Sequence, residues 1–218
     1  KMRSENLSPD DVTFLSILKA CASTKSIEKG EQIHDEIVRT GLLEKNVVVS
    51  TALVDMYAKF GMMDKAKEVL EGLLVHDVVS WNALIAGYVN HDRSCEALEY
   101  FEQMQLEGII PNAITYVFTL KACASVGNAW KGEKIHAEIA RRGLFERHVI
   151  VGNALVDMYA KCGLLGKAQE VFNHLLVRDV VSWNSLIAGY VNLDHGKEAI
   201  NCFEVMLHEG ASPDAITF

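Results

Sequence analysis

Displacing the chain by 102 residues lays it on itself. LVDMYAK at Leu53 meets the same seven residues at Leu155, and DVVSWN at Asp77 meets DVVSWN at Asp179. Trp81 falls on Trp183, Pro111 on Pro213 and Cys21 on Cys123. About 60 of the 116 aligned positions are identical, more than a shared fold alone requires. Two copies of one unit therefore account for nearly all of the 218 residues. A chain built this way is expected to stack like elements on one another, because a single repeat cannot bury its own apolar face.

Each unit divides further. Segments of helical period, such as WNALIAGYV, EALEYFEQM, ALVDMYAK and GEQIHDEIVRTG, alternate with short breaks at Gly108 or Pro111. VVVS and DVVSW look strand-like locally, but each leads into an apolar helical stripe and reads as a helix entry. The expected fold is all-α, a right-handed α-solenoid of helix-turn-helix motifs spanning 11–46, 47–77, 78–112, 113–148, 149–179 and 180–214. Residues 1–10 read as the tail of a preceding motif and 215–218 as the start of a further one, so the chain reads as a piece of a longer array.

Composition narrows the classes. A hydrophobic content of 50% with three prolines excludes a disordered or linker-like chain. No apolar run reaches the roughly 20 residues of a membrane span, so no membrane partner is expected. Lys1 opens into patterned sequence, so no signal or transit segment is expected in it. Cys21, Cys95, Cys123, Cys162 and Cys202 are scattered and odd in number, without C-x-x-C, and read as small buried apolar residues in a reducing compartment. A formal net charge of −8 speaks against a general nucleic-acid binder.

Motif lengths of 36, 31 and 35 residues, with VVSWNxLIAGY, LKACAS…G(E/K)xIH and ALVDMYAKxG, resemble the pentatricopeptide repeat family. More narrowly, they are similar to its plant PLS subclass, in which long (11–46, 113–148), short (47–77, 149–179) and standard (78–112, 180–214) motifs alternate. The resemblance covers about the whole chain. It implies a groove, lined by the first helix of each motif, that holds single-stranded RNA at one base per motif, 5′ to 3′ along the chain. The fifth and last residues of a motif read the base, and the second wedges between bases. The implied readers are Thr51 with Asp77 for guanine, Asn82 with Asn112 for cytosine or uracil, and Asn153 with Asp179 and Asn184 with Asp214 for uracil. Short neutral hydrogen-bonding groups of this kind suit a Watson–Crick edge.

The long motifs place Leu15 with Asn46 and Val117 with His148, and are expected to go unread, giving the target 5′-N-G-C/U-N-U-U-3′. The implied wedges are Val48, Val79, Ile150 and Val181; Lys59 and Lys161 are the implied phosphate contacts. Few such lysines imply modest affinity and a shallow salt dependence. Acidic residues such as Glu28, Glu31, Glu36, Glu68 and Glu71 are expected on the second helices, away from the groove. By resemblance, the parent protein acts in chloroplasts or mitochondria as a specificity factor for C-to-U RNA editing. Its long motifs offer a surface to accessory editing proteins.

Blander readings stand beside these. Trp81 and Trp183 have the spacing of core residues rather than stacking platforms. Met56, Met104, Met158 and Met206 read as filler between hairpins. Asn82 and Asn184 have helix-start hydrogen bonding as an alternative role. His136-Ala-Glu138 matches the H-x-E of zinc deaminases, but lacks a paired-cysteine half-site and recurs as His34-Asp-Glu36, which marks it as structural. No nucleophile constellation, phosphate loop or paired carboxylates stand out, so the chain reads as no enzyme, with no metal and no cofactor. The alternative function is a protein-interaction scaffold of the tetratricopeptide type. Single-stranded DNA would differ from RNA only through the 2′-hydroxyl. Uncapped ends imply self-association as a further partner mode.

Overall fold

A computed structural model describes residues 10–145 and 147–217. Most of the expected leading tail (1–9) and Phe218 lie outside the described residues. Among those described there are thirteen helices and no strand. They form two compact units, divided between Pro111 and Asn112.

In the first unit the hairpins are α1 (Asp11–Thr24) with α2 (Ile27–Thr40), α4 (Val47–Phe60) with α5 (Met63–Glu71), and α6 (Val78–Asn90) with α7 (Ser94–Leu106). A single turn, α3 (Leu42–Lys45), joins the first hairpin to the second. In the second unit α8 (Ala113–Val126) pairs with α9 (Ala129–Arg141), α10 (Val149–Lys161) with α11 (Leu165–Asn173), and α12 (Val180–Asn192) with α13 (Gly196–His208). The first helices stack in order, α1 on α4 on α6 and α8 on α10 on α12, while each second helix packs behind its own partner.

The strand-like entries become helices because the residue before each is an N-cap. Asp10, Asn46, Asp77, Asn112 and Asp179 have extended backbones, and each accepts from a main-chain N–H of the first turn. That bond satisfies donors that Val-rich sequence would otherwise leave open, and the β-branched residues then continue as helix. His148 opens α10 with no side-chain cap bond.

Small residues set the separation of the stacked first helices. A Cβ on Gly87 of α6 would lie 2.6 Å from the Ala58 Cβ of α4, and one on Gly189 of α12 would lie 2.6 Å from the Ala160 Cβ of α10. Such approaches exclude any side chain at the crossing without displacing a helix. Trp81, Trp183, Met56, Met104, Met158 and Met206 are all buried in the cores. Cys21, Cys123 and Cys202 are buried and Cys162 is half-buried, but Cys95 is exposed, contrary to expectation. The buried stripe of α7 runs through Ser94, Ala97, Leu98, Phe101 and Met104, and position 95 falls on its opposite side. Among the described residues no helix is long and apolar enough to cross a membrane.

Candidate nucleic-acid interface

The first helices carry a different charge from the second. Lys19, Lys59, Lys121 and Lys161 stand against Asp11, Asp55 and Asp157 on the first helices, whereas the second helices hold fifteen carboxylates against nine lysines and arginines. Glu28, Glu31, Glu36, Glu68 and Glu71 all lie on α2 and α5. The acidity of the chain is thus displaced away from the first helices, which are nearly balanced. A polyanion is repelled least along that layer.

At the second position of the first helices stands a β-branched residue with its side chain in water. Val48, Val79, Ile150 and Val181 are 48–62% exposed, although they sit one residue from fully buried Val49, Ser80, Val151 and Ser182. Val12 and Ile114, in the two long motifs, are exposed in the same way. The sequence reading passed over these two because it treated the long motifs as unread; the shared second position was the signal.

The fifth residues lie three positions further into each helix, where the asparagines are buried and Thr51 is half-buried. Asn82, Asn153 and Asn184 are only 7 or 8% exposed. In the second unit the structure joins the fifth residue to the last. The Asn153 amide Nδ2 donates to both carboxylate oxygens of Asp179, at 2.9 and 3.0 Å. The Asn184 amide donates to Asp214 Oδ1 at 2.9 Å. That bond is the main reason the Asp214 carboxyl is held below the usual carboxylate range.

The helix-start alternative for Asn184 is not what the structure has, since Asp179 accepts from Ser182 N and Asn184 is bonded to Asp214 and Thr217. Thr51 is not hydrogen-bonded to Asp77: its hydroxyl is buried without a partner, and Asp77 Oδ1 accepts from Ser80 N at 2.8 Å. Asn112 caps α8 and Asn82 is buried on α6. In the long motifs Leu15 and Val117 are half-buried. Asn46 caps α4 and donates to Asp11 Oδ2 at 3.2 Å, and His148 is exposed.

Lys59 and Lys161 are each in an ion pair one turn back along the helix, with Asp55 at 2.7 Å and Asp157 at 2.9 Å. Exposed pairs of this spacing contribute about 0.3–0.5 kcal/mol, so either lysine can leave its partner at small cost.

Opposite this layer, His34 Nδ1 meets the Tyr57 hydroxyl at 2.9 Å and His136 Nδ1 meets the Tyr159 hydroxyl at 2.9 Å. Burial holds both imidazoles below their usual range. The two H-x-E stretches therefore tie α2 to α4 and α9 to α10. Among the described residues no three His, Cys, Asp or Glu side chains are grouped so as to hold a metal.

Comparison with known proteins agrees with this architecture. The PPR repeat family matches residues 76–125 and 178–218, and the PPR repeat matches 12–42, 48–78 and 153–180. The chain belongs to the pentatricopeptide repeat family. Over 224 aligned residues it is 43% identical to the chloroplastic pentatricopeptide repeat-containing protein CRR2 of Arabidopsis thaliana, covering 100% of this chain and 34% of that protein. A mitochondrial pentatricopeptide repeat-containing protein of the same plant is 40% identical, with 100% and 21% covered. The chain thus spans about a third or less of the length of these relatives. The crystal structure of the pentatricopeptide repeat protein PPR10 in complex with an 18-nt psaJ RNA element matches with a TM-score of 0.79 at 22% identity, over 99% of this chain and 32% of that one. PPR10 from maize gives 0.76, also at 22% identity, over 99% and 31%. The likeness to PPR10 is one of fold.

Proposed function

We propose that this chain binds single-stranded RNA along the first-helix layer, one base per motif, as part of a plant PLS-type pentatricopeptide repeat protein. The observation that carries the reading is the hydrogen-bonded pairing of Asn153 with Asp179 and Asn184 with Asp214, each beside an exposed β-branched residue. An amide donor and acceptor held by a carboxylate is suited to the mixed donor–acceptor edge of a pyrimidine. The exposed Val or Ile is an apolar surface on which a base can rest, and Val48, Val79, Ile150 and Val181 are assigned that role. A neighbour of the same fold that is complexed with RNA, and organellar relatives of high identity, support the assignment.

The motifs are taken as 11–46, 47–77, 78–112, 113–148, 149–179 and 180–214. Thr51 with Asp77 selects guanine, and Asn153 with Asp179 and Asn184 with Asp214 select uracil. Asn82 and Asn112, one in each unit, keep the cytosine-or-uracil preference of their residue types. The long motifs, with Leu15, Asn46, Val117 and His148, contribute no discrimination, so the target reads 5′-N-G-C/U-N-U-U-3′. Lys59 and Lys161 exchange their aspartate partners for phosphates. In the parent protein this array directs C-to-U editing in a chloroplast or mitochondrion, and catalysis is supplied from outside the chain.

Fluorescence anisotropy with a labelled 12-nucleotide RNA containing AGCAUU, beside one with both uracils changed to guanine, tests the reading. The Asp214→Asn variant is expected to move the preference at the last base from uracil toward cytosine. Equal binding to both RNAs by the unaltered chain would refute base reading. Binding to a peptide ligand, with none to RNA, would favour the scaffold function instead.

A further inference from the structure

The short motifs carry valine, Val49 or Val151, third in the first helix; elsewhere that residue, or Thr217 at the equivalent place in the turn 215–217, bears a hydroxyl, whose destination differs between serine and threonine. Where it is serine, its hydroxyl serves the backbone: Ser80 Oγ donates to the Asp77 carbonyl at 2.9 Å and Ser182 Oγ to the Asp179 carbonyl at 2.8 Å. Where it is threonine, the proton goes to a side-chain oxygen. Thr115 Oγ1 donates to Asn112 Oδ1 at 3.1 Å, and Thr217 Oγ1 donates to Asn184 Oδ1 at 2.7 Å, with Asp214 Oδ1 at 3.1 Å. Both threonine oxygens also accept from the N–H of the residue that opens their helix or turn, at 3.1 and 3.0 Å. Asp77 N donates to Ser80 Oγ in the same way, at 3.2 Å, so what sets the threonines apart is the β-branch, which restricts χ1 and turns the proton toward the readers.

The fifth residues of the preceding motifs sort the same way. Thr51 Oγ1 and Asn153 Oδ1, whose motifs are followed by Ser80 and Ser182, are buried and have no hydrogen-bond partner. Asn184 Oδ1, whose motif is followed by Thr217, is bonded. Asn153 and Asn184 are each held by an aspartate, the first through two carboxylate oxygens and the second through one, and they differ in the state of the amide oxygen.

We infer that the third residue of a first helix is a positioning residue for the base reader of the motif before it, resting on the RNA reading above. A threonine ties the reader's oxygen, and a serine leaves it for a donor on the base. A buried acceptor without a partner is penalised in the free protein, and a base N–H that reaches it relieves the penalty. Guanine and uracil both present an imino N–H on the Watson–Crick edge, and these are the bases assigned to Thr51 and Asn153. At Asn184 the base must compete with the Thr217 hydroxyl, so the same uracil contributes less.

The Ser182→Thr and Thr217→Ser variants of the whole chain test this against the 12-nucleotide AGCAUU RNA and two copies, each with one of the uracils changed to cytosine. Ser182→Thr is expected to reduce the uracil preference at the fifth base about fivefold, the worth of one neutral hydrogen bond, and to leave the sixth base unchanged. Thr217→Ser is expected to raise the preference at the sixth base by a similar factor and leave the fifth unchanged. Because Ser182 is fully buried, Thr217→Ser, which only removes a methyl from a half-buried site, keeps the inference open to refutation if Ser182→Thr unfolds. If the unaltered chain discriminates at both bases and Thr217→Ser leaves both unchanged, or shifts both equally, the inference is overturned and the reading stands. If the unaltered chain shows no preference at either base, the reading itself has failed and the inference falls with it.

Discussion

Replacing Gly189 by alanine tests whether the spacing of the first helices is fixed by side-chain volume at the crossing. The added Cβ would stand 2.6 Å from Ala160 Cβ, 3.2 Å from Leu165 Cδ2 and 3.4 Å from Ala160 Cα. Carbon atoms prefer about 3.5–4.0 Å, so α12 must move from α10 by about 1 Å. Leu165 can rotate, but the Ala160 backbone cannot. The expected cost is near the upper end of overpacking, about 3 kcal/mol, and alanine returns about 1 kcal/mol in helix propensity. The net loss of about 2 kcal/mol lowers the thermal midpoint by about 4–8 °C for a chain of this length. Circular dichroism at 222 nm reads the midpoint. Gly189→Ala with Ala160→Gly exchanges the volumes across the crossing and is expected to restore most of it. Gly166→Ala, with nothing within 4 Å of its Cβ, is expected to stabilise or leave unchanged. A Gly189→Ala protein as stable as the unaltered chain, or one that Ala160→Gly does not rescue, would refute the reasoning.

Three further outcomes are expected. Burial lowers the folded-state pKa of His34 and His136, so the unfolded chain binds more protons between that value and the ordinary 6.5. Stability is therefore full above about pH 6.5 and declines as pH falls through that window; urea midpoints at pH 7.5 and 5.5 measure it, and His136→Gln is expected to flatten the decline. Lys161→Gln is expected to make the salt dependence of RNA binding shallower by about 0.7 in log–log slope, and an unchanged slope would remove its phosphate role. Val181→Ala changes an exposed side chain, so stability stays within about 0.5 kcal/mol while RNA affinity falls; a melting curve beside an anisotropy titration separates the two, and unchanged affinity would end the wedge role.

The fold was legible because its signals are local and repeated. The 102-residue displacement, the helical period and the apolar Trp and Met positions each reflect a single residue's environment, and the structure buries Trp81, Trp183, Met56, Met104, Met158 and Met206 as expected. What sequence could not supply is the direction of a side chain. Cys95 has the composition of a core residue, yet lies on the outer side of α7. Lys59 and Lys161 were read without Asp55 and Asp157, though the spacing of four was visible. The contacts of Asn153 with Asp179 and Asn184 with Asp214 were legible at the level of residue types, since that pairing came from motif positions. The destination of a hydroxyl proton depends on χ1 and on the cap geometry around it, which spacing does not encode. Ser182 and Thr217, at equivalent positions, therefore gave no hint of their different partners.

The residues that open the first helices have a second consequence. Asp77, Asn112 and Asp179 each accept from the main-chain N–H of a serine or threonine three residues on, and under the proposed reading the same side chains take part in choosing a base. Aspartate and asparagine are nearly equal as helix openers, whereas alanine or a branched apolar residue there costs about 0.5–2 kcal/mol. If these side chains choose the base as proposed, a lineage can exchange one for the other and acquire a different target without weakening the scaffold. It cannot leave that small vocabulary without loosening a helix. The chemistry of starting a helix thereby bounds the set of messages an array of this kind can be retuned to recognise, and His148, which makes no cap bond, occupies a motif assigned no base.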